Sequence, residues 1–183
     1  VGEPDYATPW HISEAAIHSL EKGYTMYTSN LGMPELRREL SLNLAQEYGT
    51  EYNPDGELLM TVGVSEALDL AMRTILNPGD EVIMPDPCYV AYEAAVILAG
   101  GEPVKVPTSW ENNFEINAAD IESRITGKTK AILIGYPANP TGAVMSREKL
   151  LELAELAVRR QLLVVSDEIY AKLVYGGAHT CVS

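Results

Sequence analysis

The chain has 183 residues, 46% of them hydrophobic and 21% charged, which is enough for one domain with a substantial core and argues against a disordered protein. Its 26 acidic and 13 basic side chains give a formal net charge of −13. Nucleic acids and anionic membranes bind basic surfaces, so neither is expected as a partner. No apolar run reaches the roughly 18 residues that a membrane-spanning helix needs.

Residues 1–54 are predicted to form a helical arm with an interface loop. One helix is expected over 12–23 and a second over 34–49, each ending in a glycine suited to a helix C-terminus. The turn sequence N-P-D-G at 53–56 is the predicted domain boundary. Residues 55–183 are then expected to form part of a cofactor-binding large domain.

From residue 58 onward, short apolar runs alternate with helical stretches. The runs resemble strands buried on both faces and lie at 58–62, 81–85, 103–107, 130–135 and 162–166. Helices are predicted over 65–76 and over 146–160, the latter behind a Ser146 cap. Strands joined by right-handed helical crossovers predict an α/β fold, a three-layer αβα sandwich around a mostly parallel sheet.

The first motif, TVGVSEAL at 61–68, joins a predicted strand to a helix through a glycine-containing turn. Ligands of open parallel sheets collect at the carboxyl ends of the strands. Backbone N–H groups at a helix N-terminus, together with the Ser65 hydroxyl, can bind a phosphate there. Alternatively, Ser65 only caps its helix. The dinucleotide fingerprint G-x-G-x-x-G is absent.

Two further motifs follow predicted strands. In MPDPCYVAY the ring of Tyr89 can stack on a flat heteroaromatic cofactor, or can simply pack against the protein. In YPANPTG, Asn139 lies between two prolines, so its amide is held at the sheet edge and can donate to a ring hydroxyl or a substrate carboxylate. The alternative for Asn139 is an ordinary proline-rich turn.

The fourth motif, VVSDEIY, places Asp167 at the end of a buried strand. A carboxylate in that position is costly unless it is paired, and a pyridinium nitrogen is a suitable partner. Tyr170 can then reach the neighbouring ring oxygen. A helix cap or a salt bridge is the alternative role for Asp167.

The histidines and cysteines indicate neither a metal site nor a disulfide framework, because they lack the spacing of either. Cys88 and Cys181 form no C-x-x-C pair, and unpaired thiols are typical of the reducing cytosol. We therefore predict a cytoplasmic protein without bound metal. Both ends of the chain are expected to be cut from a longer sequence.

Together the motifs resemble the class I/II aminotransferases, pyridoxal-phosphate enzymes of fold type I. The segments that carry the resemblance, in order and spacing, are GEPDY (2–6), YTSNLGMPELRREL (27–40), TVGVSEAL, PDPCYVAY, YPANPTG and SDEIY. The resemblance covers essentially all of the chain, and its most specific elements are N-P-T-G and S-D-E-I-Y. It implies pyridoxal 5'-phosphate as cofactor and a homodimer for the intact protein.

For the cofactor ring, the resemblance implies that Asp167 pairs with the pyridine nitrogen and that Tyr89 stacks on the ring. It implies Tyr170 and Asn139 as donors to the phenolic oxygen of the ring.

For the phosphate, the resemblance implies Val64 and Ser65 as the cradle and Tyr27 as the residue that reaches the cofactor of the neighbouring subunit. Gly2, like Asn139, is implied to lie near the substrate carboxylate.

None of the lysines of this chain has the setting of the Schiff-base lysine of the family, which is expected beyond Ser183. Lys172 follows Asp167 closely but lacks the serines of the S-x-S-K segment. The resemblance therefore implies that the intact protein transfers an amino group between an amino acid and a 2-oxo acid. This chain alone is expected to contain no catalytic residue and to be inactive.

Two alternatives to a transaminase stay open. The same scaffold serves carbon–sulfur lyases, amino-acid decarboxylases and synthases, although GEPDY and NPTG favour transamination. A transcriptional regulator with an aminotransferase-like sensor domain is the second alternative, and a winged-helix pattern preceding Val1 would indicate it.

The resemblance also implies a strand order. Four strands are expected in the spatial order 103–107, 81–85, 130–135, 162–166. Strand 58–62 is expected to pair with a strand encoded beyond Ser183, so it has no partner here. The Asn139–Pro140 bond is a candidate cis peptide.

Overall fold

The computed structural model describes residues 5–182, which fall into two compact units, Val1–Met60 and Thr61–Ser183. The first unit contains α1 (Trp10–Glu21) and α2 (Pro34–Tyr48), as predicted to within two residues at each end. Proline at the first turn of α2 has no N–H to leave unpaired, and Gly49 ends the helix in the left-handed conformation with φ 75°.

Arg37 fixes the segment that follows α2. Its side chain is 4% exposed, donates from Nη1 to the Pro54 carbonyl oxygen and lies 3.8 Å from an Asp55 carboxylate oxygen. The Ser41 hydroxyl likewise donates to the Tyr52 carbonyl oxygen at 2.6 Å. The chain after α2 is therefore held against that helix by side-chain contacts rather than by a sheet.

Residues 58–62 pair with no strand among residues 5–182, as predicted, and without a partner they are not assigned as a strand. The Met60 N–H donates to the Leu31 carbonyl oxygen at 3.1 Å, a single loop contact instead of a ladder. An apolar run signals burial, but a strand also needs the backbone of a neighbour.

The second unit is built on one parallel sheet. Its strands are β1 (Glu81–Asp86), β2 (Glu102–Pro107), β3 (Thr129–Gly135) and β4 (Leu163–Asp167). Their order is β2-β1-β3-β4 with every pairing parallel, which confirms the predicted order. All four carboxyl ends therefore lie along one edge of the sheet.

Helix α3 (Gly63–Ile75) precedes β1, and the strands are connected by α4 (Val90–Leu98), α5 (Ala118–Glu122) and α6 (Arg147–Arg160). A short 3-10 turn covers Trp110–Asn112. The Ser146 hydroxyl caps α6 by accepting from the Lys149 N–H at 3.4 Å, as predicted. The idea that Ser65 caps α3 is wrong, because that helix begins at Gly63 behind Val62 and has no side-chain cap.

Alternate strand residues face opposite helical layers. On β3, Ile132 and Ile134 point to a core cluster shared with α5 and α6, whereas Leu133 points to a cluster shared with α3 and α4. All three are at most 1% exposed. Helices on both faces of a fully parallel sheet make the predicted three-layer α/β sandwich, which is confirmed.

Three X-Pro bonds in this unit are cis, at Asp86–Pro87, Tyr136–Pro137 and Asn139–Pro140, and the last confirms the prediction. Across residues 5–182 no helix is long and apolar enough to cross a membrane.

Candidate functional site

The carboxyl edge of the sheet brings together the motifs that follow β1, β3 and β4. Gly135 at the end of β3 lies opposite Asp167 at the end of β4. The parallel register therefore places the YPANPTG turn and the Asp167 turn side by side.

Asp167 accepts two hydrogen bonds from neutral donors. The Tyr92 hydroxyl donates to Oδ2 at 2.9 Å, and the Ile169 N–H donates to Oδ1 at 3.1 Å. No lysine, arginine or histidine among residues 5–182 forms an ion pair with this half-buried carboxylate, and no helix begins behind it. Neither a salt bridge nor a helix cap thus accounts for Asp167, which keeps capacity for a cationic partner.

Tyr92 is the functional residue that the sequence analysis missed. It lies on α4, is 4% exposed, and its hydroxyl spans from the α3–α4 layer to the end of β4. Burial, followed by the Asp167 charge, raises the pKa of Tyr92 far above its ordinary value, so the hydroxyl remains a donor. Its spacing of three from Tyr89 was a usable signal, because residues i and i+3 share a helix face.

Tyr89 lies at the N-cap of α4 and is half-buried. Its ring meets that of Tyr92 edge to face, with centroids 5.7 Å apart and an interplanar angle of 88°. The neighbouring Cys88 is a free thiol whose pKa is raised to about 11 by burial and by the charge of Asp86. A raised pKa favours the thiol over the nucleophilic thiolate.

The N-terminus of α3 carries the two predicted phosphate residues. Val64 packs against the same core cluster as Tyr89 and Tyr92, and Ser65 is exposed in the first helical turn. The Glu66 carboxylate accepts the Val62 N–H, while the N–H groups of a first helical turn have no partner within their helix. This terminus can therefore present N–H groups and a hydroxyl to an anion.

Asn139 lies in a closed turn. The Ala138 N–H donates to the Ala143 carbonyl oxygen at 2.8 Å, and the Gly142 N–H donates to the Ala138 carbonyl oxygen at 2.7 Å. Thr141 closes the turn further, since its hydroxyl accepts from the Ala143 N–H at 3.2 Å. The side-chain amide of Asn139 is half-buried and takes part in none of the hydrogen bonds described for residues 5–182, so it can serve a ligand.

The other predicted site residues are Tyr170, Tyr27 and Gly2. Tyr170 is half-buried in the turn after β4, near enough to Tyr92 to contribute to its raised pKa. Tyr27 belongs to the first unit and is fully exposed. Gly2 lies outside the described residues.

The carboxylate of Glu168, next to Asp167 in the chain, has a different environment. Glu168 binds His179 Nε2 at 2.7 Å, the Ser166 hydroxyl at 2.9 Å and the Val182 N–H at 3.0 Å. Burial alone would raise the pKa of Glu168, but these hydrogen bonds and one from Cys181 outweigh it and hold the pKa below its ordinary value. Glu168 thus ties residues 179–182 to the end of β4, while Asp167 faces Tyr92.

Residues 5–182 hold no cluster of histidine, cysteine or carboxylate side chains suited to a metal.

Comparison with known proteins gives one family. The family model described as "Aminotransferase class I and II" matches residues 1–182. The Bacillus subtilis (strain 168) protein YugH, named only by class as an aminotransferase, is 53% identical over 183 residues, which are 100% of this chain and 47% of that protein. Aspartate aminotransferase of Pyrococcus abyssi is 43% identical over 96% of this chain and 45% of its own length.

Solved structures agree. Aromatic aminotransferase from Pyrococcus horikoshii OT3 superposes with a TM-score of 0.97 at 40% identity, over 100% of this chain and 49% of that one. Aspartate aminotransferase from Thermus thermophilus with maleate gives a TM-score of 0.95 at 42% identity, over 100% and 47%. The chain thus spans about half the length of the relatives it matches.

Proposed function

Because this chain belongs to the class I and II aminotransferase family, we propose that the whole protein transfers an amino group between an amino acid and a 2-oxo acid, using pyridoxal 5'-phosphate. The named relatives are aminotransferases, so a lyase, decarboxylase, synthase or sensor function is not favoured. The observation that carries the proposal is the Asp167 carboxylate, bound only by neutral donors at the edge of the sheet.

The residues present fit this cofactor. A half-buried carboxylate without a basic partner among residues 5–182 suits a protonated pyridine nitrogen, and the Tyr92 hydroxyl holds it in place. Asn139 and Tyr170 are proposed donors to the phenolic oxygen, and Tyr89 is the proposed stacking residue. The bound cofactor would supply an electron-withdrawing ring, and the Asp167 charge would keep the ring nitrogen protonated.

The phosphate is proposed to bind at the N-terminus of α3, through Val64 and Ser65. Tyr27 is proposed to reach the phosphate of a partner subunit, which makes the whole protein a homodimer. Gly2 and Asn139 are proposed to lie near the carboxylate of the amino acid.

The two free thiols support a cytoplasmic location, and the acidic charge supports the absence of nucleic-acid and membrane partners.

The homodimer draws support from the first unit. None of the residues of α1 is buried, and large apolar side chains in and after it are exposed, among them Trp10 (68%), Leu20 (63%) and Met26 (84%). We propose that a partner subunit covers these apolar side chains.

The lysine that anchors the cofactor, and moves the substrate proton, is proposed to lie outside these 183 residues, so this chain alone contributes recognition rather than catalysis.

The test is an amino-transfer assay on a protein of the length of the relatives. Aspartate and aromatic amino acids are the first donors to try, with 2-oxoglutarate as acceptor, because relatives are named for those amino acids.

Asp167→Ala should lower turnover at least a thousandfold, since the ring nitrogen loses its charge partner. The matched control is Asp69→Ala, which removes an exposed carboxylate on α3 paired with Arg73. Turnover within a few-fold of the parent for Asp167→Ala would contradict the proposed role of Asp167.

A further inference from the structure

One loop of the second unit binds both ends of the segment that carries Asn139. The Tyr136 hydroxyl, directly after β3, donates to the Phe114 carbonyl oxygen at 3.0 Å and accepts from the Ile116 N–H at 3.0 Å. Tyr136 is 5% exposed, and its burial raises the pKa of the phenol to about 12, so the hydroxyl stays protonated. The start of the Asn139 segment is thus fixed to residues 114–116.

The intervening residue of the same loop holds the other end. Glu115 accepts the Ser146 N–H at 3.2 Å and forms an ion pair with Lys149 at 3.7 Å. Ser146 also caps α6, so the Asn139 segment ends where this helix begins. Residues 114–116 therefore fix the distance between Tyr136 and Ser146.

The loop is itself rigid. Asn113 and Phe114 both adopt the left-handed conformation, with φ 56° and 55°, a conformation that such residues keep only when their surroundings determine it. The Phe114 N–H donates to the Ser109 carbonyl oxygen at 2.7 Å, behind a capping box formed by Ser109 and Asn112. Ile116 is 1% exposed in the core cluster that also contains Tyr136.

We propose that Tyr136 and Glu115 are positioning residues that hold the Asn139 amide where a ligand meets it. The role assigned to Asn139 rests on the proposed function, whereas the positioning itself does not. Asn139 forms no described hydrogen bond within residues 5–182, so its position depends on the backbone of its turn. That backbone is closed on itself by hydrogen bonds of Ala138, Gly142 and Ala143. Ala138, Ala143 and Met145 also pack against the core cluster that contains Tyr136, so the hydrogen bonds at the two ends act together with this packing.

The direct test is amide hydrogen exchange on this chain. Tyr136→Phe removes a donor to Phe114 and an acceptor for Ile116, so the amides of Ala138, Gly142 and Ala143 should exchange about tenfold faster. Tyr175→Phe is the control, because Tyr175 is 93% exposed and the loss of its phenol hydroxyl should leave those three amides unchanged. Unchanged exchange at the three amides in a folded Tyr136→Phe protein would overturn the inference.

Glu115→Ala provides a second variant if Tyr136→Phe does not fold. It removes the acceptor for the Ser146 N–H and should speed exchange at Gly142 and Ala143 more than at Ala138. Equal exchange at all three amides, at the parent rate, would again overturn the inference.

A double-mutant cycle on the full-length protein separates positioning from a general loss of stability. The measured quantity is the midpoint pH of the absorption change of bound pyridoxal phosphate, for Tyr136→Phe, Asn139→Ala and the pair. The midpoint should move in one direction for both single variants and no further in the pair. An additional shift in the pair would show that Tyr136 does not act through Asn139. Failure of the cofactor to bind the parent would overturn the proposed function, while the exchange result on this chain would still decide the positioning.

Discussion

The hydroxyl of Tyr92 occupies the volume that a side chain at Gly135 would need. A Cβ added to Gly135 would lie 2.0 Å from the Tyr92 hydroxyl oxygen and 3.0 Å from its Cζ. Tyr92 reaches Asp167 through this space, since Gly135 and Asp167 are register partners on β3 and β4. The absence of a side chain at position 135 is therefore a condition for the Tyr92–Asp167 hydrogen bond.

Gly135→Ala should destabilise the second unit by about 1–3 kcal/mol, because the new methyl group overpacks a buried site. Urea unfolding followed by circular dichroism measures this loss. Gly127→Ala is the control, since a Cβ there meets no atom within 4 Å. Tyr92→Phe in the Gly135→Ala background should restore part of the stability, because the contact at 2.0 Å disappears while the one at 3.0 Å remains. No recovery in the double variant would show that the clash lies elsewhere.

Tyr92→Phe alone should cost about 1.5–3 kcal/mol of unfolding free energy, the range for a hydrogen bond to a charged group. The loss reflects a carboxylate that keeps only the Ile169 N–H as a described donor. Denaturant unfolding measures it, with Tyr175→Phe as the control because Tyr175 is 93% exposed. A Tyr92→Phe protein as stable as the parent would mean that water replaces the hydroxyl without loss.

This chain, mixed with pyridoxal phosphate and reduced with borohydride, should acquire no stoichiometric adduct at a single lysine. The expectation follows from the setting of its lysines, none of which resembles the cofactor lysine of the family. Peptide mass spectrometry locates any adduct. Stoichiometric modification of Lys172 would overturn our assignment of the missing lysine.

The stability of the second unit should fall in acid partly through Glu168. Its pKa is held below the ordinary value in the folded state, so it stabilises the fold above the ordinary pKa of about 4.3 and loses that contribution as the pH falls through the folded pKa. Glu168→Gln should flatten the dependence of unfolding free energy on pH below about 4.3. Exposed Glu155→Gln is the control and should leave the slope as in the parent.

Sequence patterns predicted the sheet because strands buried on both faces leave continuous apolar runs, as in β3. The apolar run at 58–62 forms no strand, since no strand among residues 5–182 pairs with it, and Leu59 and Val62 are exposed. Asp167 could be predicted because a charge after an apolar strand requires a partner. The spacing of Tyr89 and Tyr92 indicated a shared helix face but not the hydrogen bond to Asp167, since a tyrosine inside an apolar helix has the same pattern whether it packs or donates. The hydrogen bond from Ser146 to Glu115, which fixes one end of the Asn139 segment, joins residues 31 positions apart, and no local sequence pattern encodes such a contact.

The hydrogen bond between Tyr92 and Asp167 joins residues 75 positions apart, and Asp167 lies on β4, which follows β1, β2 and β3 in the chain. Until Asp167 emerges, the Tyr92 hydroxyl of a nascent chain has no carboxylate to bind. A buried hydroxyl left unsatisfied costs about 1–3 kcal/mol, so the docking of α4 is less favourable by about that amount until then. Translation order therefore makes the arrival of Asp167 the event that gives the Tyr92 hydroxyl its acceptor, and polypeptides that stop before residue 167 should be cleaved more readily by proteases.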